Sequence, residues 1–138
     1  MDTPRSHILI VEDEPDIALV LQTRLQSVGF ATHAEATGAS ALAYASGHRP
    51  DLVILDLKLP DMEGYEVCQR LRRLYEPKPM PVLMFTAMDQ PIDRMRGFAS
   101  GADAYLSKGG DPAQVVQTVA LLLTETTLSG DGLSSAPR

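Results

Sequence analysis

The sequence predicts an α/β domain, a doubly wound sheet of five parallel strands with helices on both faces. Three observations predict it. Short apolar runs alternate with amphipathic stretches in strict order along the chain. Three of those runs, at 8–11, 52–55 and 82–85, are continuously apolar, as strands buried on both faces must be. The 138 residues amount to about one domain, long enough to bury a core without disulfides or metals.

The elements follow in order. Ile8-Leu9-Ile10-Val11 reads as the first strand. A helix over 16–28 follows, with Ile17, Leu21, Leu25 and Val28 on one face. Pro15 suits its first turn and Gly29 its end. Residues 30–34 read as the second strand and 40–46 as a short Ala-rich helix ending at Gly47. Leu52-Val53-Ile54-Leu55 is the third strand. The helix predicted at 64–75 turns Val67, Leu71 and Leu74 inward and Arg70, Arg72 and Arg73 to water. Pro77, Pro79 and Pro81 break the chain before the fourth strand, 82–85. Residues 92–100 give a weaker helical pattern and 104–106 a short last strand. The last helix, 112–126, starts from an Asp111 N-cap with Pro112 in its first turn. The expected division is therefore a domain over 1–127 and a frayed Ser/Gly-rich tail over 128–138.

Composition removes several function classes. A net charge of −6 argues against nucleic-acid binding by this chain, because phosphate contacts need a basic surface. No apolar run approaches the roughly 18 residues of a membrane span, and the first apolar stretch runs into acids rather than a signal-peptide cleavage site. The single cysteine, Cys68, has no internal partner, which fits a reducing, cytoplasmic location.

In a parallel α/β sheet the functional site lies beyond the carboxyl ends of the strands, near the switch point. The residues there are chemically distinctive. The first strand ends in Glu12-Asp13-Glu14, the third in Asp56, the fourth in Thr86-Ala87 and the fifth in Ser107-Lys108. Clustered carboxylates repel one another and need a cation to stay ionised together. Oxygen-only ligands suit Mg²⁺. With that charge neutralised a phosphate can approach, an aspartate can act as nucleophile, and Lys108 and Thr86 can hold phosphoryl oxygens. Each residue alone reads as blandly as a solvated loop charge or a strand-end hydroxyl. Their joint occurrence at four strand ends carries the inference.

Four segments carry a resemblance. They are 8–14 (ILIVEDE), 56–64 (DLKLPDMEG), 85–87 (FTA) and 101–108 (GADAYLSK). With them the chain resembles the response-regulator receiver domains of two-component signalling, from about residue 7 to residue 126. The resemblance implies a flavodoxin-like receiver fold with strand order 2-1-3-4-5. It implies Asp56 as phosphoacceptor and Mg²⁺ as cofactor, held by Asp13, Asp56 and the backbone carbonyl of Lys58, with Glu12 acting through water. Thr86, Ala87 and Lys108 would grip the phosphoryl group, and Tyr105 would be the aromatic that swings inward when Thr86 moves. Lys58 and Met88 would stand at the rim of the site. The implied donor is a phosphohistidine on a histidine kinase or phosphotransfer protein. The chain would be a switch that catalyses only its own phosphorylation and dephosphorylation.

One departure stands out: Gly109 follows Lys108 where the family usually has proline, so the isomer of that peptide bond is open. The last helix, 112–126, also contains no lysine or arginine, so the charged dimer face of the winged-helix members is not expected.

Other classes fit less well. A flavodoxin would carry a glycine- and hydroxyl-rich phosphate loop after its first strand, where this chain has three acids. An aspartate-nucleophile phosphatase would place a second Asp two residues after the first, where Lys58 stands. A degenerate receiver would lack a site residue, and none is missing. The chain is expected to be either a stand-alone receiver or the N-terminal receiver of a longer regulator. The output surface is expected on the fourth helix, fifth strand and fifth helix. The run Val115, Val116 and 119–123 in the last helix covers more than the stripe a helix needs for its own core, so part of it must face outward.

Overall fold

The computed structural model describes residues 5–77 and 79–130, the side chains of 126–130 excepted. Five strands and five helices alternate: β1 (His7–Val11), α1 (Pro15–Ser27), β2 (Ala31–Glu35), α2 (Gly38–Gly47), β3 (Leu52–Leu55), α3 (Gly64–Leu74), β4 (Val82–Thr86), α4 (Pro91–Ala99), β5 (Ala104–Ser107) and α5 (Ala113–Gly130). The strands form one sheet in the order β2-β1-β3-β4-β5, and every pairing is parallel. Class, strand order and element sequence are those expected. Ile8 pairs with Leu52, and Val53 with Val82, so the three continuously apolar runs form the sheet's centre.

Two cores result from the period-2 alternation of strand side chains. Ile8, Ile10, Leu52, Ile54, Leu83 and Phe85 face α1 and α5, meeting Leu21, Leu25, Val115, Val119 and Leu122. Leu9, Val11, Val53, Leu55, Val82 and Met84 face the other way, onto Ala41, Ala45, Val67, Cys68 and Leu71 of α2 and α3. Because every pairing is parallel, the residues that follow the strands' carboxyl ends converge on one edge, beside the β1–β3 switch point.

Several local expectations are corrected. Helix α2 starts at Gly38, because Thr37 accepts the Ser40 N–H at 3.0 Å and caps it earlier than the pattern suggested. Leu74 and Val28 are exposed rather than inward. Arg72 does not face water. Its guanidinium donates to the carbonyls of Met80 and Gly101 and pairs with Asp103 at 2.8 Å, while Asp103 also accepts the Val82 N–H at 2.8 Å. One side chain thus ties the end of α3 to the start of β4 and to the α4–β5 turn. The Asp111 carboxylate accepts the Ala113 N–H at 3.0 Å, the N-cap bond expected, with α5 spanning Ala113–Gly130. Helix α5 runs to Gly130, three residues into the segment expected as a tail. Residues 131–138, like 1–4, lie outside the described residues. Among the described residues the only cis peptide is Glu76–Pro77, so Lys108–Gly109 is trans.

No described helix is long and apolar enough to cross a membrane. The three histidines gather unexpectedly: His33 and His48 stack on opposite faces of the Tyr44 ring at 3.7 and 4.5 Å, and His7 Nε2 lies 2.7 Å from its hydroxyl.

The Arg72 tie makes a prediction. Arg72→Ala should lower stability by about 1.5–3 kcal/mol, the range for hydrogen bonds from a charged donor. Arg70→Ala, which removes only an exposed pair with Glu66, should stay within about 0.5 kcal/mol. Urea unfolding of both variants checks the contrast, and equal losses would refute the tie.

Candidate functional site

The β1, β3, β4 and β5 ends bound an open cavity of about 280 Å³ lined by Asp13, Glu14, Asp56, Lys58, Leu59, Pro60, Thr86, Ala87, Met88 and Lys108. Asp56 follows β3 directly and is 4% exposed, so its carboxylate sits at the cavity floor. Its backbone N–H donates to the Val11 carbonyl at 3.1 Å, which continues the β1–β3 ladder and pins it beside the acids after β1. Gly64 makes room for it: a Cβ there would lie 2.3 Å from the Asp56 carbonyl oxygen.

Lys108 enters from β5. Its Nζ lies 2.8 Å from Asp56 Oδ2, 3.0 and 3.1 Å from the two oxygens of Glu12, and 3.3 Å from Glu14 Oε1. Glu12 is also buried, behind the cavity rather than in its wall. Burial raises the Glu12 pKa, and the nearby Asp56 charge adds to that, against the lowering effect of the Lys108 hydrogen bond. Burial also pulls the Lys108 ammonium down, but its hydrogen bonds to Asp56 and Glu12 outweigh this and leave it above its ordinary value. The lysine is therefore a fixed positive charge.

Asp13 differs from its neighbour. It is exposed and makes no ion pair among the described residues. Yet Glu12, Asp13 and Asp56 each bring an oxygen within 4.8 Å of the others. With Glu14, four carboxylates surround one ammonium, and the exposed ones, Asp13 and Glu14, lie on the solvent side. Hard oxygen donors with surplus negative charge fit a small divalent cation.

Thr86, at the end of β4, is buried, and its Oγ1 accepts the Met88 N–H at 3.3 Å. Tyr105 lies outside the cavity. Its ring is buried inward, and its hydroxyl donates to the Met88 carbonyl. Burial pushes that phenol up to about 12, so it stays a donor. The Met88 backbone is thus held by Thr86 at its N–H and by Tyr105 at its carbonyl.

A family model described as the response regulator receiver domain matches residues 8–120. The chain belongs to the response regulator receiver family. Among curated relatives, the receiver is 41% identical over 119 residues to the DNA-binding dual master transcriptional regulator RpaA of Synechocystis sp., covering 86% of this chain and 49% of that protein. It is equally 41% identical over 119 residues to the DNA-binding response regulator MtrA of Mycolicibacterium smegmatis, covering 86% of this chain and 51% of that one. The receiver spans about half the length of these relatives. Among solved structures, a CheY-like response regulator receiver domain protein from Methanospirillum hungatei JF-1 superposes with a TM-score of 0.83 at 29% identity, over 89% of this chain and 97% of that one.

The receiver's structure brings Asp13, Asp56, Lys58, Thr86, Ala87, Met88 and Lys108 to one cavity, places Glu12 beneath it, and leaves Tyr105 one peptide away. Sequence reasoning missed Glu14 as a Lys108 partner, although it stood in the acidic triplet. It also missed Leu59 and Pro60 as cavity wall, since their positions depend on the path of the β3–α3 loop.

The charge balance gives opposite signs for two substitutions. Asp13→Asn removes repulsion without costing Lys108 a partner, and in EDTA should raise the melting temperature by about 2–4 °C. Lys108→Met strands two buried carboxylates and should lower it by more, since removing one partner of a buried pair costs about 3–5 kcal/mol. Thermal melts in EDTA test both, and the same sign for the two would contradict this balance.

Proposed function

We propose that the receiver is a phosphoryl-accepting switch. Asp56 takes the phosphoryl group of a partner's phosphohistidine, from a histidine kinase or phosphotransfer protein, in a Mg²⁺-dependent step. The observation that supports this most is the buried Asp56 carboxylate, 2.8 Å from a fixed ammonium and open to a cavity with unbalanced negative charge. Asp13, Asp56 and the Lys58 carbonyl would hold the cation directly, and Glu12 through water. When bound, Mg²⁺ supplies charge neutralisation that lets the phosphate approach.

In the transfer an Asp56 carboxylate oxygen attacks phosphorus. The P–O bond forms as the P–N bond breaks, and the imidazole leaves with the bonding electron pair. Lys108 already points at Asp56 and would donate to a phosphoryl oxygen. Thr86 accepts a hydrogen bond now and keeps its own hydroxyl proton for another, alongside the Ala87 backbone. Drawing Thr86 toward the phosphoryl group pulls on the Met88 N–H and, through the Met88 carbonyl, on Tyr105. That path links the site to α4 and β5. Lys58 and Met88 stand at the rim and would govern how readily water reaches the acyl phosphate.

Asp56→Asn should abolish Mg²⁺-dependent phosphorylation by acetyl phosphate with the fold intact, read by intact-protein mass and circular dichroism. Full labelling of that variant would refute the assignment. With the labelled wild type as reference, Lys58→Ala or Met88→Ala should change the decay rate more than the Mg²⁺ affinity. Unchanged decay in both would remove the rim role.

The output surface we infer is α4, β5 and α5. Ile92, Met95 and Phe98 of α4 are half or more exposed, and the Phe98 ring centroid lies 6.3 Å from that of Tyr105. Among the described side chains of α5 the exposed large apolar residue is Leu121, 58% exposed, whereas Leu122 is in the core. Self-association or effector binding through this face would cover them. The relatives' names as DNA-binding regulators describe proteins about twice this length, so DNA contact is an output we place outside this acidic chain. Sedimentation with and without beryllofluoride should show association strengthened by the phosphate mimic and lost in Leu121→Glu. A species unaffected by either would exclude the face for self-association.

A further inference from the structure

The β3–α3 loop, residues 57–63, carries Lys58 and is fastened at both ends. At its base Lys58 and Glu63 form an antiparallel bridge, and the Gly64 N–H donates to the Leu57 carbonyl at 2.8 Å. At its tip the Asp61 carboxylate crosses to another helix. Its Oδ1 accepts the Gly38 N–H and its Oδ2 the Ala39 N–H, both at 2.8 Å. These are first-turn amides of α2, which lack partners within their own helix. Met62 packs beside them: a Cβ on Gly38 would lie 2.5 Å from Met62 Cγ, so the loop tip rests directly on the helix backbone.

The hydrogen bonds from Ala39 and then Gly38 hold the Asp61 carboxyl below the usual range, so it stays an ionised acceptor. It does not line the cavity and is not one of the clustered carboxylates Glu12, Asp13 and Asp56. Helix α2 has a second, independent cap, because Thr37 Oγ1 accepts the Ser40 N–H from its own side. One helix end is therefore held by a residue that belongs to the loop and by one that does not.

The ligand the loop offers is a main-chain carbonyl, and the Lys58 side chain is exposed, so packing of that residue does not aim it. Its direction follows from the path of the loop. Mg²⁺ tolerates little departure from octahedral geometry, so a misdirected carbonyl weakens binding. We propose that Asp61 is a positioning residue: by fastening the loop tip to the N-terminus of α2 it aims the Lys58 carbonyl at the cavity and couples cation binding to that helix. This rests on the reading of Asp13, Asp56 and the Lys58 carbonyl as the cation's ligands. Coupling is reciprocal, so the cation must in turn be felt at the Gly38 and Ala39 amides.

The test is Mg²⁺ titration of the full chain by calorimetry and by amide NMR. Asp61→Ala should weaken Mg²⁺ binding about tenfold, the scale found when a group orienting a metal ligand is lost. Asp61→Asn, which keeps one acceptor oxygen, should recover part of that affinity. Thr37→Ala, which uncaps the same helix without touching the loop, should lower the melting temperature and leave Mg²⁺ affinity unchanged. In the wild type the Gly38 and Ala39 amide signals should shift with Mg²⁺, a readout that needs no variant to fold. Wild-type affinity in Asp61→Ala, equal weakening in Thr37→Ala, or silent amides would overturn the proposal while leaving the cation site standing. A wild type that binds no Mg²⁺, or binding that survives Asp13→Ala, would overturn the cation reading and this proposal with it.

Discussion

The ammonium of Lys108 holds the site together. It is shared among Asp56, Glu12 and Glu14, and two of those carboxylates are buried. Without it the ends of β1 and β3 would bring uncompensated charges into a poorly solvated edge, at a cost of several kcal/mol. With it the cluster is tolerable but still negative, and its exposed carboxylates, Asp13 and Glu14, stand on the open side. The arrangement is stable enough to fold and unsatisfied enough to attract a cation. Those are the two properties a phosphoryl-accepting carboxylate requires.

The sheet makes that arrangement possible. Parallel pairing sends every strand toward the same edge, and the continuous apolar strands hold each end residue at a fixed height. The groups that must respond are placed on loops just beyond the rigid ends. The Met88 backbone is the clearest case, held by Thr86 at its N–H and by Tyr105 at its carbonyl. A small movement of one hydroxyl then has a mechanical path to the α4–β5 face, where the apolar side chains of α4 stand exposed. The β3–α3 loop would give a second path, from the cavity through Asp61 to α2.

Much of this was legible in the amino acids. Unbroken apolar runs at 8–11, 52–55 and 82–85 have one economical fate, the middle of a parallel sheet, because both faces must be buried. Acids, a hydroxyl and a lysine at the ends of those runs then share an edge by topology alone. Less legible were side chains whose partners lie far along the chain. Arg72 looked like one more arginine on a wet helix face, yet its acceptors are supplied by the Met80, Gly101 and Asp103 backbone and carboxylate groups. Leu74 fits the helical stripe but falls past the edge of the core and stays in water. Leu121 and Leu122 are indistinguishable by composition, and only the angle of α5 on the sheet exposes one and buries the other.

Element order, the parallel sheet and the set of groups at its carboxyl edge are all written in the amino acids. These follow from local periodicity and from the need to bury apolar strands on both faces. Tertiary structure alone decided the pairings: Lys108 with Glu12 and Asp56, Asp61 with the first turn of α2, Tyr105 turned inward onto Met88, and His7, His33 and His48 gathered on Tyr44. The physical reason is the range of the forces involved. Periodicity is a property of neighbours in the chain. A hydrogen bond or ion pair is settled within about 3 Å, by whichever residues the packing of separate elements brings that close.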